Sequence, residues 1–186
     1  MKRVFDLFFS LLLIIPIFFI SIIIGIMIKI SSKGPIIYYS DRVGMNNTIY
    51  KMPKFRTMLI NTPPVATHLL VNPDSYLSPI GAFLRHSSLD ELPQFFSVLK
   101  GDMSFVGPRP ALFNQLDLIA LRKERGLDKL LPGITGWAQV NGRDELSIPE
   151  KVSLDFEYLN RQSFWFDIKI LLMTILKIIK RDGVTH

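Results

Sequence analysis

The sequence predicts an α+β fold: a helix-rich cytosolic domain with short strands, preceded by a membrane helix and followed by an amphipathic one. Three observations carry this reading. The run from Leu7 to Ile28, LFFSLLLIIPIFFISIIIGIMI, holds no charge and is long enough to enter or cross a bilayer core. Residues 34 to 163 mix short strand patterns with helical periods and show no repeats or low-complexity tracts. Residues 164 to 183, FWFDIKILLMTILKIIKRDG, set Thr174, Lys177 and Arg181 three and four apart amid Ile, Leu and Met. The organisation expected is therefore a membrane helix at 1–33, a domain at 34–163 and an interface helix with its tail at 164–186.

Composition agrees with this division. A chain of 186 residues suits one compact domain with a small appendage. Its mean hydropathy of +0.29 is high for a soluble domain, and its 20% of charged residues is too many for a chain wholly in lipid. With no cysteine, disulfide frameworks and Cys-based metal or redox sites are excluded. The three histidines are too scattered for a metal motif. A net charge of +6 points to an anionic partner, whether lipid headgroups, nucleic acid or a phosphorylated substrate.

In the apolar run, Pro16 removes one backbone hydrogen bond near the middle, which predicts a kink. Lys2 and Arg3 precede the run and Lys29 and Lys33 follow it, so neither flank dominates the positive-inside balance. Central proline and symmetric basic flanks together predict a re-entrant helix with both ends on the cytoplasmic side. A cleaved signal peptide begins in the same way, but no small-residue cleavage site follows here.

PIIYYSDRVG (35–44) and TIYKMPKFRTM (48–58) read as strands joined by a Gly-Met-Asn-Asn turn. Residues 61–79 hold four of the twelve prolines and form a long loop, a place for a lid or binding element. Helices are expected at 80–86, 92–100, 111–125 and 149–161, with Gly126 closing the third and Ser147 and Glu150 forming a capping box for the fourth. The final amphipathic helix reads equally as a core helix or as an interfacial one. In the interfacial case, Trp165 and Phe166 sit at headgroup depth and Lys177, Lys180 and Arg181 face anionic phospholipid.

In LDELPQFFSVLKG, Leu92, Phe95, Phe96 and Leu99 recur at helical spacing, which predicts one buried face and places Pro93 in the first turn. Asp90 then falls near the N-cap, where a carboxylate accepts orphan backbone N–H groups. Taken by itself, it reads first as a cap. Its neighbourhood adds chemistry: Arg85 and His86 lie upstream, Asp102 follows, and Gly-Pro-Arg-Pro holds Arg109 in a restricted turn suited to an oxyanion. A carboxylate attacks phosphorus only where cations neutralise the phosphate oxygens, and a second carboxylate can hold a bridging magnesium ion. Asp144 and Glu145 make a second acidic pair, so the doublet alone is weak evidence.

LDELPQFFSVLKGDMSFVGPRP (89–110), KFRTM (54–58) and LPGITGWAQVNGR (131–143), with KRVFD at the start and KIIKRDG near the end, resemble the bacterial sugar transferase family, the monotopic polyprenol-phosphate phosphoglycosyl transferases. The length matches the small form that holds the catalytic domain alone. The resemblance implies transfer of a phosphosugar from a UDP-sugar, expected to be an N-acetylated amino sugar, onto undecaprenyl phosphate with release of UMP. This is the first membrane step of glycoconjugate assembly, at the cytoplasmic face of a bacterial inner membrane. It further implies Asp90 as the nucleophile of a covalent phosphosugar intermediate and Glu91 as a magnesium ligand. Lys54, Arg85, Arg109 and Arg143 would surround the diphosphate. The family often carries Ser-Pro at the helix break, where this chain has Ile15-Pro16, so Ser10 or water is expected to satisfy the freed carbonyl. Two other readings compete. One is a membrane-tethered module binding anionic ligands or nucleic acid, disfavoured because the basic residues are dispersed; the other is a hydrolase that passes an aspartyl-phosphate to water.

Overall fold

In the computed structural model, which describes residues 2–63, 72–142 and 145–180, a 30-residue helix α1 (Lys2–Ser31) lies along a domain of mixed helix and strand. At 1.5 Å per residue α1 is about 45 Å long. It continues through Pro16 as helix. One side is exposed and apolar, with Phe8, Leu11, Ile15, Phe19, Ile23 and Ile30 all open. Its other side meets the domain at both ends.

At the start of α1, the Lys2 ammonium donates to Asp167 and to the Tyr158 hydroxyl, each at 2.7 Å. The Arg3 guanidinium donates to the carbonyls of Val98 and Leu99 at the end of a helix, where free carbonyls and the dipole favour a cation. Asp6, fully buried, accepts from the Ser104 hydroxyl at 3.0 Å and the Phe105 N–H at 3.2 Å. At the far end, Ile24 and Ile28 pack with Phe55 and Leu84, and buried Arg56 donates to the carbonyls of Ser32 and Lys33. The two basic flanks thus have different employment: Lys2 and Arg3 are fastened to the domain.

Strands β1 (Ile37–Val43) and β2 (Ile49–Phe55) pair antiparallel from Ile37 opposite Phe55 to Val43 opposite Ile49, as the sequence predicts. Their turn uses Asn46 and Asn47 at φ near +55°, a region asparagine tolerates. Helices α2 (Gly81–His86) and α3 (Gln94–Lys100) follow, separated by a 3₁₀ turn at Leu89–Glu91. Strand β3 (Ser104–Val106) pairs parallel with β4 (Gly133–Thr135), and helix α4 (Leu116–Glu124) lies in the crossover. Helix α5 (Ile148–Arg161) begins with the expected Ser147–Glu150 capping box, and α6 (Phe164–Lys180) closes the described chain. The main core joins Met52, Phe95, Val98, Met103, Val106, Tyr158, Phe166 and Ile170, with Phe9, Leu13 and Ile17 of α1 against it.

Several local expectations are corrected. Phe96 is exposed rather than core, because the turn before α3 rotates the helix so that Phe95 and Val98 point inward with Gln94 and Ser97. The third expected helix starts at Leu116, not 111, because residues 111 and 112 extend alongside β1: Val43 N–H donates to the Ala111 carbonyl, and Arg42 bridges Leu112. Phe166 is buried against Trp137 and Tyr158, while Trp165 beside it is 77% exposed. Thr174 also faces the protein, with its hydroxyl 2.7 Å from that of Thr135. Ser10 is fully buried and its hydroxyl has no hydrogen-bond partner, so it relieves no carbonyl near Pro16; six residues away, it lies on a different face of the helix. Lys180 and Arg181, read as lipid-facing, lie outside the described side chains.

Candidate active site

The 3₁₀ turn Leu89–Glu91 places its two carboxylates side by side in a cationic recess. Ser88, at φ +56°, reverses the chain after α2 and sets the turn against β2. Asp90 is 8% exposed and makes no capping bond, since α3 begins only after Pro93. The cap reading of Asp90 is therefore overturned: a carboxylate four residues ahead of Gln94 does not reach the first free N–H groups of α3.

Lys54, on β2, donates to Glu91 at 2.8 Å and lies 3.7 Å from Asp90. Arg109 donates to the same Glu91 oxygen at 3.2 Å. Arg85 donates from Nε to the Thr57 hydroxyl at 3.0 Å, and its charge acts favourably on Asp90. Four of the residues implied by the resemblance, with Arg85 as a fifth at the edge, therefore come together across 55 residues of sequence. Arg143 lies outside the described residues, and Pro16 is on the exposed side of α1.

Burial dominates the electrostatics of Asp90. Burial pushes the Asp90 carboxyl up to about 6; Lys54 opposes this, neighbouring Glu91 adds to it, and Arg85 and Arg109 oppose it. The Asp90 carboxyl therefore changes charge closer to neutral pH than an ordinary aspartate. Burial also lowers the Arg85 guanidinium, with Asp90 and Asp74 acting against the shift.

Sequence reasoning missed three further groups. Arg42, on β1, donates to the Pro110 carbonyl at 3.2 Å and is lowered to about 10 by burial and by the nearby Arg109 charge. Arg122, on α4, donates to the Arg109 carbonyl at 2.8 Å while its Nε and Nη2 hold Asp155 at 3.0 and 2.7 Å. None of the three lies in a motif that carries the family resemblance. Only the strand alternation of β1 and the 33-residue separation of Arg122 from Asp155 were available as signals, and neither points to a site.

The glycines of two motifs have a physical reason. A Cβ on Gly133 would stand 2.1 Å from the Gly107 nitrogen, and one on Gly136 would stand 2.0 Å from the Gly107 carbonyl oxygen. Bare backbones at these points let the LPGITG segment nest against the turn that carries Arg109.

The donor chemistry of the recess fits magnesium. Adjacent carboxylates offer hard oxygen donors, and no cluster of three or more such groups occurs among the described residues. A magnesium ion held by one or two carboxylates and completed by substrate phosphate oxygens and water is the ordinary arrangement.

Fold and site define an α+β domain built on a long apolar helix, with a carboxylate pair set among cations. The chain belongs to the bacterial sugar transferase family, whose description matches residues 1–181. It is 40% identical over 185 residues to the UDP-glucose:undecaprenyl-phosphate glucose-1-phosphate transferase of Escherichia coli (strain K12), covering 95% of this chain and 40% of that one. To the undecaprenyl-phosphate galactose phosphotransferase of Salmonella typhimurium it is 36% identical over 202 residues, covering 98% of this chain and 41% of that one. To the uncharacterized sugar transferase EpsL of Bacillus subtilis (strain 168) it is 36% identical over 185 residues, 99% of this chain and 90% of that one. The chain thus spans about two fifths of the first two relatives and nearly all of the third.

Proposed function

We propose that this chain transfers a phosphosugar from a UDP-sugar to undecaprenyl phosphate, releasing UMP, through a covalent intermediate on Asp90. The observation that carries the reading is the buried Asp90 beside Glu91, with Lys54 and Arg109 converging on the pair. The Asp90 carboxylate attacks the sugar-bearing phosphorus, the bond from that phosphorus to the bridging oxygen breaks, and UMP leaves with that oxygen. An oxygen of the lipid phosphate then attacks the same phosphorus and returns the Asp90 carboxylate. Lys54, Arg85 and Arg109 bind and orient the diphosphate, and Arg143 belongs to the same proposal from its motif. Glu91, with Asp90 beside it, would hold magnesium, which when bound neutralises charge on the phosphate oxygens.

The relatives named for glucose and galactose make these the first sugars to test, with N-acetylated amino sugars in the same panel. The organisation proposed is a re-entrant helix at 1–33, a catalytic domain at 34–163 and an interfacial helix at 164–186, on the cytoplasmic face of a bacterial inner membrane. Contact of both ends of α1 with one domain supports this: a helix fastened so cannot carry its ends to opposite sides of a bilayer. Exposed Trp165, Leu172, Ile175, Leu176 and Ile178 on α6 support contact with phospholipid.

Intact-mass spectrometry with magnesium and a panel of UDP-sugars, without lipid acceptor, tests the chemistry. A gain of one phosphosugar, absent in Asp90→Asn, is expected. Lipid-dependent UMP release with no adduct would mean direct transfer, and UMP release over many turnovers without lipid would mean a hydrolase.

A further inference from the structure

Among the described residues, Arg42 is a half-buried cation with which no carboxylate forms an ion pair. It lies on β1 directly opposite Tyr50, and Tyr38 on the same strand lies opposite Lys54. Side chains alternate between the faces of a strand and opposed residues share a face, so Arg42, Tyr50 and Lys54 stand on one side of the hairpin. That is the side on which Lys54 meets Glu91. The Arg42 guanidinium donates from Nε to the Ser40 hydroxyl at 3.1 Å and from Nη1 to the Pro110 carbonyl at 3.2 Å, beside Arg109. Its Nη2 donates to none of the described residues.

The neighbours of Arg42 make its lack of an anion costly. Burial disfavours its charge, and the Arg109 charge close by repels it. Across the hairpin the Tyr50 hydroxyl is buried with no hydrogen-bond partner, within the fields of both arginines. Half-buried charges and buried hydroxyls are ordinarily satisfied, and here two guanidinium groups and a hydroxyl converge without an anion between them. A phosphate has the charge to offset the repulsion, and a guanidinium fork binds its oxygens in pairs.

The recess has two ends. Arg85 acts on Asp90 and Asp74, whereas Arg42 acts on Arg109 and Glu91. The proposed nucleophile therefore stands toward Arg85, and Arg42 lies beyond Glu91 and Arg109. In an in-line displacement the departing oxygen leaves from the side opposite the attacking one. We infer that Arg42, together with Arg109, holds the phosphate of the departing UMP. The inference rests on the transferase reading and assigns its leaving-group subsite. As the bond from the attacked phosphorus to the bridging oxygen breaks, its electron pair stays on that oxygen. The UMP phosphate gains one negative charge, and the Asp90 carboxylate gives up its own in bonding to phosphorus. Arg42 and Arg109 meet that charge where it develops.

The test measures binding of UMP and of uridine, with magnesium, to the full chain in phosphatidylcholine vesicles. Arg42→Gln removes the charge, and Arg42→Lys keeps it without the fork. UMP affinity should fall about tenfold in Arg42→Gln and less in Arg42→Lys, with uridine affinity unchanged in both. The rise in melting temperature that UMP gives the unsubstituted chain should shrink in the same order. In single turnover, adduct formation should slow by a similar factor in Arg42→Gln, while discharge of the preformed adduct to undecaprenyl phosphate keeps its rate.

Parallel losses of UMP and uridine affinity would make Arg42 a structural residue and overturn the inference. Unchanged UMP affinity with a raised KM for the lipid acceptor would put Arg42 at the lipid phosphate and overturn it equally. If Arg42→Gln loses the cooperative melting of the unsubstituted chain, Arg42→Lys decides by the same comparison of UMP with uridine. Absence of UMP release from every UDP-sugar would instead sink the transferase reading, and the difference between UMP and uridine would still decide the Arg42 site.

Discussion

In the proposed transfer, Asp90 sits between two opposed demands, since a nucleophile must be ionised and a buried carboxyl resists ionisation. Its carboxyl is pushed up to about 6, so the reactive form is scarce below that pH and dominant above it. Adduct formation should rise nearly tenfold per pH unit below about 6 and level off above about 7, read by quenched single-turnover mass spectrometry. The same shift bears on stability. A carboxyl raised on folding costs nothing below its unfolded value, near 3.8, and the cost is fully developed above the folded one. Asp90→Asn should therefore be more thermally stable than the unsubstituted chain at pH 7, on the order of 2 kcal/mol, with the advantage vanishing near pH 4. A pH-independent difference would locate its origin elsewhere. At this scale the sequence was informative about candidates, because Asp90, Glu91, Lys54 and Arg109 stand in motifs and the structure places them together. It was misleading about environment: the cap reading failed because Pro93 delays α3 to Gln94.

Between elements, the Arg109 turn is held from two sides. Below it, Gly107, Gly133 and Gly136 bring backbones together where no Cβ fits. Gly133→Ala should disrupt the β3–β4 pairing, lowering thermal stability by at least about 2 kcal/mol and reducing UMP release with it. Behind it, Arg122 joins α4 to α5 through Asp155 and donates to the Arg109 carbonyl. The Asp155 side chain is 1% exposed, and removing Arg122 strands its charge, so Arg122→Ala should cost about 3–5 kcal/mol. Arg122→Lys keeps a cation for Asp155 but lacks the planar fork that also reaches Arg109. It should raise the KM for the UDP-sugar several-fold while costing less stability than Arg122→Ala. Equal losses of stability and affinity in Arg122→Lys would reduce the pair to a structural brace. Glycine spacing and the capping box of α5 were legible, because each acts over a few residues. The Arg122–Asp155 link was not, because two lone charges 33 residues apart carry no local mark.

For the whole molecule, the two ends of α1 are the decisive feature. Lys2, Arg3 and Asp6 bind the domain near β3, α3 and α6, and Ile24, Ile28 and the segment after α1 bind it near β2 and α2. Cysteines introduced at the start and end of α1 should be labelled from the same side of sealed vesicles; labelling from opposite sides would overturn the re-entrant proposal. Lys2→Ala with Arg3→Ala should loosen the start of α1 and lower the melting temperature while leaving the apolar length unchanged, a comparison that separates docking from insertion. What the sequence alone determined was the kind of matter in each segment: an apolar helix, an α+β domain, a carboxylate doublet and the motifs that mark the family. These depend on composition and on patterns a few residues long, so they survive without coordinates. Tertiary structure decided which charges meet, which aromatic residues are core and which are exposed, and how α1 is fastened. Each of those depends on contacts between residues tens or more than a hundred positions apart, whose energies belong to the packed chain and to no single stretch of it.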